Sequence, residues 1–369
     1  MSLLLPGGDA PVAATGPQVP AVQTPAPAGA PGIAQQNQAE LLYARGWEQP
    51  IDSSDGMTVA VGARSVYLGG KSLAVSARNL SDGLQLWTSP LKPAAPIVVG
   101  DGLVFVLSDD RLTALDETTG AARWSSPAVP SPGPVLHGGI ILLPTATGLQ
   151  ARRAADGSET WKQDLGGAPV TRPAVHASTV YIALGDKTLV ALELGSGAIR
   201  WRTPQELQPT TLLASDGLIA MGTAESFLCA ARQVTGVMSW CFPSLDGPEM
   251  VRAAIAGDPV RQGKKLYVAL VDNTLRTFSA GSGALLQREP LPARPASDPR
   301  QVGPWLIVPL SSGQFVLFSI ATGKEIASLA PPREIATLQA AAIAADGSVL
   351  VSVTVSPGDL RVLATYFKK

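Results

Sequence analysis

The residues of this chain that could do chemistry are few: two cysteines, two histidines, and some aspartates and arginines that recur at fixed places. Cys229 and Cys241 flank a Val234-Thr235-Gly236 segment. If those three residues are the loop of a hairpin, Gln233 pairs with Val237, Ala231 with Ser239 and Cys229 with Cys241. Directly opposed residues bring their Cβ atoms to about 4.5–5.5 Å, close enough for a disulfide. Closing so short a loop would add roughly 2–3 kcal/mol at most. It would also argue for an oxidising compartment. A register slip of one residue would instead leave two buried thiols on opposite faces. Metal binding is not expected, because no histidine lies near the pair.

His137 stands in a turn and His176 at the end of a strand, both expected to face solvent. Neither has a Ser, Cys or carboxylate partner that the sequence points to. Asp82, Asp101, Asp116 and Asp156 recur at turns, where an aspartate caps the local backbone without any catalytic role. No phosphate loop, metal motif or nucleophile elbow is present. The expectation is a protein with no catalytic, cofactor-binding or metal-ligating residues, and not an enzyme. Arg78 and Arg152, the latter followed by Arg153, are the exception at a position that is apolar in the other blades. They read either as a half-exposed strand face or as a contact patch for a partner protein.

The elements that carry these residues are set by a repeat. Gly-x-x-x-Trp occurs as Gly83/Trp87, Gly120/Trp124, Gly157/Trp161, Gly197/Trp201 and Gly236/Trp240. Gly283/Gln287 and Gly323/Ala327 are degenerate copies. Successive glycines are 37, 37, 40, 39, 47 and 40 residues apart. Residues 96–127 show the unit most clearly: PIVV, LVFVLS, RLTALD and AARWSS are four short strands separated by turns. Four strands in about 40 residues is a propeller blade. In the third strand a large apolar residue stands eight before the glycine and a small one six before, as in Leu112 and Ala114, on one face. The tryptophans are expected to fill space between neighbouring blades.

Seven full units are followed by three more strands, up to Leu360–Tyr366, and no fourth. Residues 43–50, YARGWEQP, are a fourth strand without a blade: Trp47-Glu-Gln-Pro50 matches Trp87-Thr-Ser-Pro90 and Trp124-Ser-Ser-Pro127. The fold expected is all-β: an eight-bladed propeller over residues 41–369, its last blade closed by the Trp47 strand. Closure removes the free edges of an open array. Trp47, Trp87, Trp124, Trp161, Trp201 and Trp240 are then the blade-docking residues.

Residues 1–40 are different, with Ala, Pro, Gly, Gln and Thr, almost no charge and no aromatic. PQVPAVQTPAPAGAPG favours extended, polyproline-like chain and cannot bury a core, so it reads as a tether or as a strap that orders on a partner. Val12-Ala13-Ala14 resembles the small-residue pattern before a signal cleavage site, although the start itself has no basic segment. Only 15% of the 369 residues are charged and the net charge is -1. That gives no electrostatic case for nucleic acid. No apolar run is long enough for a membrane span.

The unit Leu112-Thr-Ala-Leu-Asp-Glu-Thr-Thr-Gly-Ala-Ala-Arg-Trp124 resembles the PQQ-type propeller repeat, and the copy from Leu189 to Trp201 is close behind. In size and blade count the chain resembles the BamB family, periplasmic accessory proteins of the outer-membrane β-barrel assembly machine. That resemblance implies a non-catalytic scaffold in the periplasm that binds other proteins, as an assembly accessory or as a subunit of another membrane complex. The quinoprotein dehydrogenases share the repeat. Their likeness implies the alternative, a quinone- or small-ligand-binding propeller, but they hold a vicinal Cys-Cys pair that is absent here. The lipid-bearing cysteine that opens the mature BamB chain is absent as well.

Overall fold

The computed structural model describes residues 43–53, 55–243, 253–329, 337–344, 347–356 and 359–367. The arm expected at residues 1–40 lies outside the described residues. Within them the chain forms strands and no helix, arranged as eight antiparallel sheets of four strands each. Blade one is Thr58–Val61, Ser65–Gly69, Val75–Asn79 and Gln85–Ser89. Blades two to seven follow in the same order, with fourth strands at Ala122–Pro127, Glu159–Asp164, Ile199–Pro204, Met238–Phe242, Leu285–Pro290 and Glu325–Leu329. Blade eight takes Thr337–Ile343, Val349–Ser356 and Asp359–Phe367 from one end of the chain and Tyr43–Pro50 from the other. The eight-bladed ring read from the sequence, including its closure by the Trp47 strand, is the ring observed.

First strands touch one another between blades eight and one, one and two, two and three, and four and five, so they lie at the centre and the fourth strands at the rim. The second and third strands are the core. Ser65–Gly69, Leu103–Leu107 and Thr179–Ala183 are buried at every position, because each faces a neighbouring blade on both sides. Their apolar runs are therefore continuous rather than alternating. Blade eight is gripped on both faces. Leu338, Leu350 and Phe367 pack with Ile307 and Leu317 of blade seven, and Val351, Val353 and Val362 with Val66 and Leu68 of blade one.

The six fourth-strand tryptophans dock in one way. Each lies against the marker glycine of the following blade: Trp47 on Gly83, Trp87 on Gly120, and so on to Trp240 on Gly283. A Cβ on any of those glycines would come within 2.6 Å of an indole carbon. Each indole Nε1 then donates, over 2.6–3.1 Å, to the carbonyl three residues before that glycine: Leu80, Glu117, Ala154, Leu194, Gln233 and Ala280. The glycines also sit at φ between +70° and +74°, which an L side chain rarely adopts. The Gly and the Trp of the repeat thus serve two different seams.

The hairpin of the third and fourth strands contains a β-bulge at the same place in blades one to seven. In blade one Ala77 faces Trp87 and Arg78 faces Gln85, leaving Leu86 unopposed. The small residue six before the glycine is thus small because the tryptophan stands directly across from it. The same bulge corrects the register expected in blade five. Ala231 faces Met238, not Ser239, and the loop is one residue longer, since the Arg232 N–H donates the closing bond to the Val237 carbonyl. The two differences cancel, so Cys229 still faces Cys241.

Two outcomes test this construction. Deleting residues 41–50 removes Trp47 and the outer strand of blade eight, and thermal unfolding monitored by circular dichroism should shift the whole ring to lower temperature. Gly120→Ala should cost at least about 1 kcal/mol more than Gly138→Ala in urea denaturation, because both sites have positive φ but only Gly120 carries an indole. Equal costs would show that the docking is not what demands the glycine.

Candidate functional site

Three groups of residues stand apart from the seams: the cysteine pair, the rim, and a charged cluster in the central channel.

Cys229 and Cys241 are joined as a disulfide, with Cα atoms 4.0 Å apart. Cys229 is fully buried and Cys241 half-buried, on the third and fourth strands of blade five, away from the central channel. The bridge staples the hairpin that holds Trp240, which sits between the two half-cystines in sequence and docks on blade six.

The arginines divide. Nη1 of Arg78 donates to the Gly83 carbonyl at 3.2 Å and Nη1 of Arg152 to the Gly157 carbonyl at 2.7 Å, each the marker glycine of its own blade. Arg78 also reaches the Pro50 carbonyl of blade eight. Both lie at the position where other blades bury Leu115, Leu192 or Phe278 against the preceding blade. Their guanidiniums thus hold corners and seams. Arg153 is exposed and pairs with Asp156 at 3.3 Å. His137 is exposed and His176 half-buried, both at the ends of first strands. The turn aspartates act as caps: Asp82 accepts the Leu84 N–H, Asp116 those of Thr118 and Thr119, and Asp156 that of Ser158. Arg123, followed by the Thr119 bonds, holds the Asp116 carboxyl well below the usual carboxylate range.

On the rim, several large apolar side chains face water. Leu84 and Leu86 of blade one are 61% and 50% exposed, and Val234, Val237, Leu285 and Leu286 project from blades five and six. Leu86 and Leu286 are the unopposed residues of their bulges, which turn them outward. Leu86 also borders a groove of about 800 Å³, with Arg64, Asn79, Glu117 and Tyr366, where blades eight, one and two meet.

In the channel, Arg172 of the segment entering blade four donates to Asp258 at 2.8 Å, in the segment entering blade six. Asp298, entering blade seven, accepts the Asp258 backbone N–H at 2.9 Å and pairs with Arg300 at 3.1 Å. Gly257, at φ +132°, leaves the space in which the Asp298 carboxyl sits. Burial and the like charge of Asp298 push the Asp258 carboxyl above its usual range, against the pull of Arg172. Sequence reasoning missed this cluster. The signal was one position: the residue before the proline that precedes the first strand, which reads Ala95, Gly133, Arg172, Gln208, Asp258 and Asp298 around the ring.

The architecture is that of an eight-bladed propeller of PQQ-type repeats. A family model described as outer membrane protein assembly factor BamB matches residues 44–242 and, in an overlapping register, 145–295. The chain belongs to that family. Among solved structures it is similar to the computationally designed Ika8 protein, with 14% identity, 86% of this chain and 97% of that one covered, and a TM-score of 0.68. It is also similar to the quinohemoprotein alcohol dehydrogenase of Comamonas testosteroni, with 13% identity, coverage of 90% and 78%, and a TM-score of 0.68. BamB from Moraxella catarrhalis aligns at 15% identity over 88% and 100% of the two chains, but its TM-score of 0.48 is too low to carry an argument. At these identities the likeness is one of fold, which BamB and dehydrogenases share. No curated protein matches the sequence significantly.

Reduction tests the staple. With the disulfide reduced, or in the Cys229→Ser/Cys241→Ser double variant, urea denaturation should show a loss of roughly 2–3 kcal/mol. No loss would mean that the strand pairing alone holds the hairpin.

Proposed function

We propose that the ring is a non-catalytic scaffold of the bacterial cell envelope, working in the periplasm as an accessory of outer-membrane protein assembly. The observation that carries this reading is the apolar rim in a chain of the BamB family. Leu84, Leu86, Val237 and Leu286 are exposed, belong to no seam, and are held outward by rigid corners. Exposed apolar side chains on a rigid frame are what a protein-binding surface presents. The disulfide fits an oxidising compartment. The partner is a membrane-embedded assembly complex, and residues 1–40 serve as a strap along it.

The residues do not fit a quinone held in the manner of the dehydrogenases. The one disulfide joins facing strands of blade five rather than adjacent residues, and it lies away from the channel, where Arg172 and Asp258 are paired.

The test is capture of the β-barrel assembly complex from detergent-solubilised outer membranes by immobilised protein. Leu84→Glu/Leu86→Glu and Val237→Glu/Leu286→Glu are expected to abolish capture without changing thermal unfolding, and removal of residues 1–40 to weaken it. Undiminished capture by both rim variants would overturn the rim as the contact surface. Dye-reducing activity on addition of quinone and calcium would overturn the non-catalytic reading.

A further inference from the structure

Two cavities lie in the channel among the described residues. One, of about 500 Å³, is lined by residues of blades three to seven, among them Val135, Thr210, Leu212 and Asp258. The other, of about 360 Å³, is lined by residues of blades seven, eight, one and two, among them Thr58, Pro96, Arg300 and Ala341, and by Arg172 of blade four. Among the described residues, only Arg172 and Asp298 line both. Arg172 starts from blade four and reaches Asp258 of blade six, passing blade five, and its side chain borders both cavities. The pair stands at the channel mouth on the face where fourth strands lead into first strands, opposite the corners that bear the tryptophan seams.

We propose that Arg172, Asp258, Asp298 and Arg300 form a proton-operated latch across this mouth: with Asp258 ionised, Arg172 is tied across the channel, and with Asp258 protonated it is released and the two cavities become one. The geometry supplies the parts. Asp258 meets Arg172 from blade four, and Asp298 and Arg300 from blade seven. Arg172 is about two-fifths exposed, so its guanidinium can be solvated once freed. Asp298 remains fixed in either state by Arg300 and by the Asp258 N–H.

The sign of the pH response follows. Burial first and Asp298 second raise the Asp258 carboxyl above its usual range, and Arg172 does not fully offset them. A carboxyl raised in the folded state takes up its proton at a milder pH than an ordinary aspartate, and its ionised form is held at a cost to stability. The pair is therefore closed at neutral pH and opens as pH falls through that raised value. Opening removes one negative charge from the balanced four-residue cluster and leaves that cluster with a net positive charge.

Hydrogen-exchange mass spectrometry, normalised for the intrinsic pH dependence of exchange, reads the latch directly. In the wild-type protein, the segments 168–174 and 255–260 should lose protection several-fold between a neutral and an acidic pH, while the core strand 103–107 stays protected. Asp258→Asn should show the open level at both pH values, with no response left. Asp298→Asn removes the like charge but keeps an acceptor for the Asp258 N–H, so the opening should move to lower pH. A wild-type pH response that survives in Asp258→Asn, or one that is unmoved or shifted to higher pH in Asp298→Asn, would overturn the latch.

Discussion

An indole lying flat on a glycine of the next blade is the contact on which this ring is built. The glycine must be bare for the ring to approach, and its positive φ folds the corner back so that the carbonyl three residues earlier meets the indole N–H. The bulge in the preceding hairpin aims the tryptophan, and the alanine across from it makes room. Each of these features is weak alone. Together they fix the distance and rotation between successive blades, which is what an assembly of separately stacked sheets needs in order to close.

The contact is not present at every seam, and the exceptions show what it does. Between blades six and seven the tryptophan is replaced by Gln287. Its side-chain amide donates to the Gly323 carbonyl at 3.1 Å, and Tyr267 of the second strand takes over the carbonyl of Ile320 at 2.7 Å. The acceptor is thus kept when the donor changes. Between blades seven and eight the position is Ala327, and no corner glycine faces it because the third and fourth strands of blade eight come from opposite ends of the chain. There the space is filled by Phe367 against Trp305, with ring centroids 6.4 Å apart. Closure at blade eight therefore rests on side-chain packing on that side and on the Trp47 dock on the other.

Much of this was legible in the sequence because the repeat states it seven times. Blade number, the closing strand and the facing cysteines follow from spacing and from the period of two along a strand. The bulge was not legible, since an extra residue in one strand leaves no mark on composition, and the disulfide register survived only because the longer loop offset it. That the glycine of one blade serves the tryptophan of another was also hidden, since within a unit the two look like a single motif. Arg78 and Arg152 stood out as departures from an apolar position. Their contacts with the marker-glycine carbonyls depend on the fold of the corner, which spacing alone does not show.

The repeat also determines where function can reside. A position occupied in every blade by the same kind of residue is explained by the seam it forms, so it carries no information about partners. What distinguishes this ring from a uniform one lies where the repeat leaves the side chain free. At the rim those are the bulge residues, which are charged in blades two and four, as at Arg123 and Arg200, and leucine in blades one and six. In the channel it is the residue before the entering proline, apolar or absent as a side chain in blades two and three and charged in blades four, six and seven. Both sets are held by rigid neighbours and neither is needed to close the ring. A leucine in water and a carboxylate raised by burial each carry a cost that packing does not require, and such costs persist where a surface or a switch makes use of them.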